Sequence, residues 1–354
     1  MTSTARDCQG PSRAVQGRSV TPACANCGLF RSRQPLPMFS LTMLPLHHPL
    51  RSLAPASPPV ALSPLVLRTL ALVVGLGLTT LSPAQDRRPV AVESPRVVVR
   101  AGELPILLSA PHGGTLPIPG VPPRRGEGMA AGPAGFFTGR DGGTEELAYE
   151  LATELRRRFG KPPYLVVSRV HRRFLDPNRP PEIAYEDPDA APAYETYHGA
   201  MTRFCGEMTQ RFRCGVVLDL HGQGSQADTI FRGTKNGQTT RRLQDLFGIE
   251  AQTGERSLFG LLAREQLKVH PQPLDGREAS GFTGGYIVRT YGDAARWPID
   301  AHQLEMGADY RSESGRRATA RKIAAALVTY AELYLEHNPA DAGEHHPPAP
   351  DLPE

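Results

Sequence analysis

LPILLSAPHGG (104–114) and GVVLDLHG (215–222) decide how this chain folds. Each is an apolar run of strand length that stops abruptly at histidine and glycine. Working outward, further strand-like runs stand at VVV (97–99), YLVVSRV (164–170), GGYIVRTY (284–291) and HQLEM (302–306). Helical patterns lie between several of them. Glu145 to Phe159 spaces Leu147, Leu151 and Leu155 four apart, and Tyr194 to Phe212 is read as a second helix. The Ala-rich segment ATARKIAAALVTYAELYL (318–335) closes the pattern with a helical apolar stripe. Strands alternating with helices predict an α/β domain over 90–336, its mostly parallel or mixed sheet covered on both faces. In such sheets the chemistry sits beyond the C-terminal strand ends.

The flanks read differently. Residues 1–84 form a leader, with seven arginines, no lysine and one acid, Asp7. Within it LVLRTLALVVGLGLTTL (65–81) is an apolar core followed by Ser82-Pro83-Ala84-Gln85. A basic flank, a short apolar run and a small-x-Ala end predict a secretory signal removed after Ala84. The run after Arg68 is shorter than the roughly 20 residues that span a bilayer. Export to a periplasmic or extracellular compartment is expected; membrane attachment requires that the leader stay uncleaved. Met38 or Met43 would make a more ordinary start for such a signal. Residues 337–354 read as a disordered tail.

Composition narrows the function. The 354 residues are 40% apolar and 21% charged, with 35 Gly and 35 Pro, which excludes collagen, a coiled coil and a wholly disordered chain. The formal charge of +4 is misleading, because the leader's arginines carry it. Beyond residue 84 stand 33 basic and 35 acidic residues, so no nucleic-acid partner is expected. Cys205 and Cys214 remain in the mature part, where export permits either a disulfide or two buried thiols.

Four strand ends carry unusual chemistry. His112 and His221 sit at the mouths of two strands beside glycines that admit a ligand, which suits zinc. A catalytic zinc takes three protein ligands; Asp141 is the best third, with Glu145 and Glu146 on the next helix turn as alternatives. RRFLDPNRPP (172–181) places Arg172 and Arg179 after a strand, with Asp176 and Asn178 to fix guanidinium geometry for a carboxylate. Glu305, in an otherwise apolar strand, is a general-base candidate.

Taken in order, PHGG (111–114), the Asp141 helix start, RRFLDPNRPP, DLHG (219–222), FTGGYIVRTYG (282–292) and HQLEM resemble the N-formylglutamate amidohydrolase family over roughly 104–310. That family is distantly similar to aspartoacylases and zinc carboxypeptidases, implying a three-layer α/β/α fold with a mixed sheet. The resemblance implies one zinc held by His112, Asp141 and His221, with Glu305 as the general base. It implies that Arg172 polarises the scissile carbonyl, that Asn178 and Arg179 grip a substrate carboxylate, and that Arg289 is a second anchor. The chain departs from the family in Pro177, where leucine is usual, and in Gly142-Gly143, where a Trp-His pair is usual.

The expected activity is therefore zinc-assisted hydrolysis of the amide of a small N-acyl amino acid with a free carboxylate. An exported zinc peptidase acting on γ-glutamyl or cell-wall peptides is a second reading. A carboxylate-binding protein without activity is a third, which has no use for Glu305.

Overall fold

The computed structural model describes residues 95–126, 129 and 136–336. The leader and tail lie outside the described residues. Strands form at β1 (Val97–Arg100), β2 (Ile106–Ala110), β3 (Tyr164–Ser168), β4 (Gly215–Gly222), β5 (Ile230–Gly233), β6 (Val269–His270) and β7 (Ile299–Met306). They make one mixed sheet in the order β1-β3-β2-β4-β7-β5-β6. The centre, β3-β2-β4-β7, is parallel, while β1 and β5 run antiparallel to their neighbours β3 and β7.

Helices occupy α1 (Thr144–Phe159), α2 (Pro181–Ala184), α3 (Ala191–Phe212), α4 (Arg241–Phe247), α5 (Ile249–Thr253), α6 (Leu258–Arg264), α7 (Tyr286–Tyr291), α8 (Ala308–Arg311) and α9 (Arg316–Tyr334). In α1 the acidic first turn (Glu145, Glu146), the basic last turn (Arg156 to Arg158) and left-handed Gly160 beyond it all favour helix at these limits. The expected strand at 284–291 is instead α7. Its buried residues, Ile287, Val288 and Tyr291, fall on one helical face, and β-branched content alone misled the reading. The sheet position beside β7 belongs to β5, a four-residue strand too short to stand out in the sequence.

Strand alternation builds two cores and places the site. Leu108, Val167, Leu218 and Leu304 face the layer containing α1, α6 and α9. Leu107, Val166, Val217 and Ala301 face the layer containing α3 and α7. The fold is thus three layers, α/β/α. By the same alternation Ser109, Asp219, His221, Gln303 and Glu305 turn toward the α3 side. The chain leaves β2 through α1 to β3 on one side and leaves β4 toward β7 on the other. His112 and His221 thus end adjacent strands where the winding changes direction, the usual place for a ligand crevice. Cys205 and Cys214 are buried free thiols belonging to opposite cores, so the sheet between them excludes a bridge.

On the α9 face, β7 carries two buried titratable groups. Asp300 pairs with Arg242 of α4 at 2.6 Å. His302 lies against Phe259 and Tyr330, and neither of its ring nitrogens has a hydrogen-bond partner among the described residues. Burial, with the nearby Arg232 charge, pushes its pKa down from 6.5 to about 3. The unfolded chain therefore binds the proton first on acidification. Stability is complete above pH 6.5 and is lost as pH falls toward 3, by about 2 kcal/mol at pH 5. His302→Leu is expected to remove that increment from the pH dependence of urea unfolding between pH 7.5 and 5. An unchanged slope would show that His302 is not the group responsible.

Candidate metal centre

Parallel pairing of β4 with β7 sets Glu305 directly beside His221 and Gln303 beside Asp219, while β2 sets Ser109 beside Asp219. His112 lies two residues beyond β2. The long loop after it returns, because the Asp141 N–H donates to the His112 carbonyl at 3.0 Å. Thr144 fixes Asp141 from the other side, its backbone N–H and its hydroxyl both donating to the Asp141 carbonyl. Sequence spacing could not show this return, which brings Asp141 to the two histidines. Asp141 joins the two histidines, whereas Glu145 accepts from Tyr149 and pairs with Arg169.

Three buried atoms converge: His112 Nδ1, His221 Nδ1 and Asp141 Oδ2. The histidine nitrogens are 3.1 Å apart, and the carboxylate oxygen lies 3.3 Å and 3.2 Å from them. A tetrahedral ion about 2.0–2.1 Å from its ligands sets them about 3.3 Å apart, so this triangle fits zinc. The outer nitrogens agree. His112 Nε2 lies 2.6 Å from Asp176 Oδ1, and His221 Nε2 lies 2.8 Å from Asp219 Oδ2. With the outer N–H donating to each carboxylate, the inner nitrogen keeps a lone pair for a cation.

Support continues outward. Ser109 donates to Asp219 at 2.6 Å and lies 2.7 Å from the buried Tyr197 hydroxyl of α3. Arg172 Nε donates to Asp176 at 2.8 Å, as expected for an acid fixing a guanidinium, and the Asn178 N–H donates to the same carboxylate at 2.9 Å. Burial acts to raise the Asp141 and Asp176 carboxyls. Hydrogen bonds and charge from His112 and His221 outweigh it at Asp141, and His112 with Arg172 outweighs it at Asp176, so both stay below the ordinary range. Burial acts to lower His221, but Asp219 and Asp141 hold it above its ordinary value.

Glu305 behaves oppositely. It is buried, Gln303 Nε2 donates to its Oε1 at 2.6 Å, and desolvation with the nearby Asp141 charge raises it to about 7 against the pull of His221.

Cationic side chains gather beside this centre. Arg172 is buried with one Nη 4.0 Å from Asp141, and its guanidinium stacks on the exposed Phe137 ring. Arg179 is buried; burial and the charges of Arg172 and Arg289 depress its pKa despite Asp176. Arg289, on α7, is exposed, and its charge also reaches Lys235. Asn178 faces inward: its Oδ1 accepts from Ile287 N–H of α7 at 2.9 Å, and its Nδ2 lies 3.3 Å from His221 Nε2. A Cβ on Gly285 would stand 2.2 Å from that amide, so only glycine lets α7 approach it.

No protein-family model and no curated protein matches the chain. Solved structures do. The chain is similar to a solved N-formylglutamate amidohydrolase. That structure, from Ralstonia eutropha JMP134, is 17% identical, covers 67% of this chain and 96% of its own, and has a TM-score of 0.41. A gene product of Agrobacterium tumefaciens is 19% identical over 66% of this chain and 95% of its own, at a TM-score of 0.42. An N-acetylmuramyl-L-alanine amidase from Mycobacterium abscessus is 12% identical over 64% of this chain and 97% of its own, at 0.29. What the site can do is decided by its own atoms.

Sequence reading did not assign Asp219, Ser109 or Tyr197. Asp219 had a usable signal: on a strand, residues two apart share a face, so Asp219 must stand behind His221. Tyr197, from a distant helix, had none.

Proposed function

We propose that this protein is a zinc-dependent hydrolase of the amide bond in a small N-acyl amino acid bearing a free carboxylate, exported through its leader. The observation that carries the reading is the triangle of His112 Nδ1, Asp141 Oδ2 and His221 Nδ1 with Glu305 in register beside it.

When bound, the ion supplies Lewis acidity at the scissile carbonyl and a water acidic enough to attack near neutral pH. Glu305 takes the proton of the attacking water on its carboxylate and later delivers it to the leaving amine nitrogen. Gln303 holds that carboxylate through Oε1. Arg172, anchored at Nε by Asp176, directs its outer nitrogens at the oxygen where negative charge develops. Arg179 and Arg289 receive the substrate carboxylate, and Asn178 fixes the distance between them by tying the Arg179 loop to α7. Phe137 covers Arg172 and screens it from water.

A panel of N-acyl amino acids and their carboxamides, assayed with zinc-loaded protein, tests this. Turnover should require the free carboxylate. Arg179→Lys keeps the charge but loses the planar fork, so kcat/KM for the carboxylates should fall by roughly 10-fold or more. Carboxamides should be poor with the wild type and lose little more in the variant. Equal damage to both classes would mean that Arg179 supports the fold and does not read the substrate.

A further inference from the structure

We infer that Arg311 is a positioning residue that clamps together the three segments carrying Asp141, His221 and Glu305. This rests on the metal reading above for its functional consequence, but its geometry stands alone. Arg311 ends α8, a four-residue helix that follows β7 directly. Its guanidinium donates to three backbone carbonyls. Nη1 reaches Gly142 at 2.5 Å, Nη2 reaches Gln223 at 3.1 Å and Nε reaches Met306 at 3.1 Å. Those carbonyls belong to the residue after Asp141, the second residue after His221 and the residue after Glu305. A planar cation with fixed donor directions thus helps set the spacing of three chain segments, which direct hydrogen bonds of Gly222 to Asp141 and of Gln223 to Met306 also join in pairs.

Two glycines make room for it. A Cβ on Gly222 would stand 2.7 Å from Arg311 Nε and 2.9 Å from its Cζ. A Cβ on Gly143 would stand 2.0 Å from the Arg311 carbonyl, and Gly143 also has a left-handed φ of 88°. These glycines immediately follow His221 and, two places on, Asp141. The guanidinium accounts for the glycine at 222, whereas Gly143 makes room for the backbone carbonyl of Arg311 and is also required by its own φ. All three of its donor nitrogens, Nε, Nη1 and Nη2, are engaged by carbonyls among the described residues. The ligand triangle is only 3.1–3.3 Å on a side, and a shift of a few tenths of an ångström in one segment spoils it for an ion.

The experiment compares Arg311→Ala, Arg311→Lys and Gly222→Ala with the wild type and with Arg241→Ala. That control removes an exposed arginine paired with Asp245. Zinc affinity is measured by competition with a chelator, alongside thermal unfolding and hydrogen exchange of the metal-free proteins. Arg311→Ala should bind zinc at least ~10-fold more weakly, Gly222→Ala should do likewise, and Arg311→Lys should fall between because one ammonium cannot span three carbonyls. In metal-free protein the amides of Asp141, Thr144 and Gln223 should lose protection, whereas those pairing β1 with β3 keep theirs. Lower thermal stability with unchanged zinc affinity and unchanged exchange at those three amides would overturn the inference, leaving a merely structural residue. If the wild type takes up no zinc, the metal reading fails, and the exchange arm alone decides whether Arg311 is the clamp. If Arg311→Ala does not fold, the lysine and glycine variants decide.

Discussion

Glu305→Gln is expected to lower kcat by at least ~10²-fold while the protein still carries one metal per chain. The substitution keeps the volume of the side chain, and its amide oxygen can still accept the Gln303 Nε2 donor that now lies 2.6 Å from Oε1. What it removes is the capacity to take a proton. The site offers few substitutes. Asp141, the other carboxylate turned to this point, is held far below the usual range by two histidines and is assigned to the metal. Asp176 and Asp219 are each committed to the outer nitrogen of a ligand histidine. Among the described residues Glu305 is the buried carboxylate raised to about 7 that stands beside His221 with no histidine bonded to it. Steady-state kinetics with a competent N-acyl amino acid, paired with metal analysis of the same preparation, makes the check. Near-wild-type kcat would remove Glu305 from the chemistry. A loss of activity together with a loss of metal would make it a ligand instead of a base.

The sheet was legible because its central strands are continuous apolar runs, and the ends of those runs marked His112 and His221 without any tertiary information. The same reasoning stopped where contacts become non-local. GGYIVRTY has the residues of a strand, yet Ile287, Val288 and Tyr291 pack as one helical face against the α3 layer, and burial there outweighs β-propensity. Ile230–Gly233 is only four residues long and carries Arg232, whose charge is met by an ion pair with the distant Glu278. Asp141 could be preferred to Glu145 and Glu146, but the backbone hydrogen bond that brings it to His112 across a long loop was not legible. Asn178 shows the limit from the other side. The sequence placed it beside Arg179, but only the fold reveals that its amide accepts from α7 and donates to Gln303. Arg311, separated by 169 residues from the carbonyl of Gly142 that it bonds, left no local trace except the glycine at 222.

Removing both ligand histidines should have the largest effect of all: His112→Ala, His221→Ala protein is expected to carry no stoichiometric zinc and to show no hydrolysis above background. The two imidazoles contribute two of the three donors, and a single buried carboxylate cannot hold the ion against water. Loss of metal also has a thermodynamic signature independent of activity. An ion that binds only the folded state stabilises it by about 2.7 kcal/mol at a hundred times its dissociation constant. Added zinc should therefore raise the Tm of metal-stripped wild type and leave the double variant unmoved. Asp219→Asn supplies the graded case. It keeps His221 in place but trades a charged acceptor for a neutral one, and the Ser109–Tyr197 chain that orients the acid then leads to an amide. Affinity should fall by roughly 10–100-fold, with the metal still bound at high zinc. Stoichiometric metal in the double-histidine variant, or a zinc-dependent rise in its Tm equal to that of the wild type, would place the ion elsewhere. The triangle would then be only a buried cluster of histidines sharing protons with an aspartate.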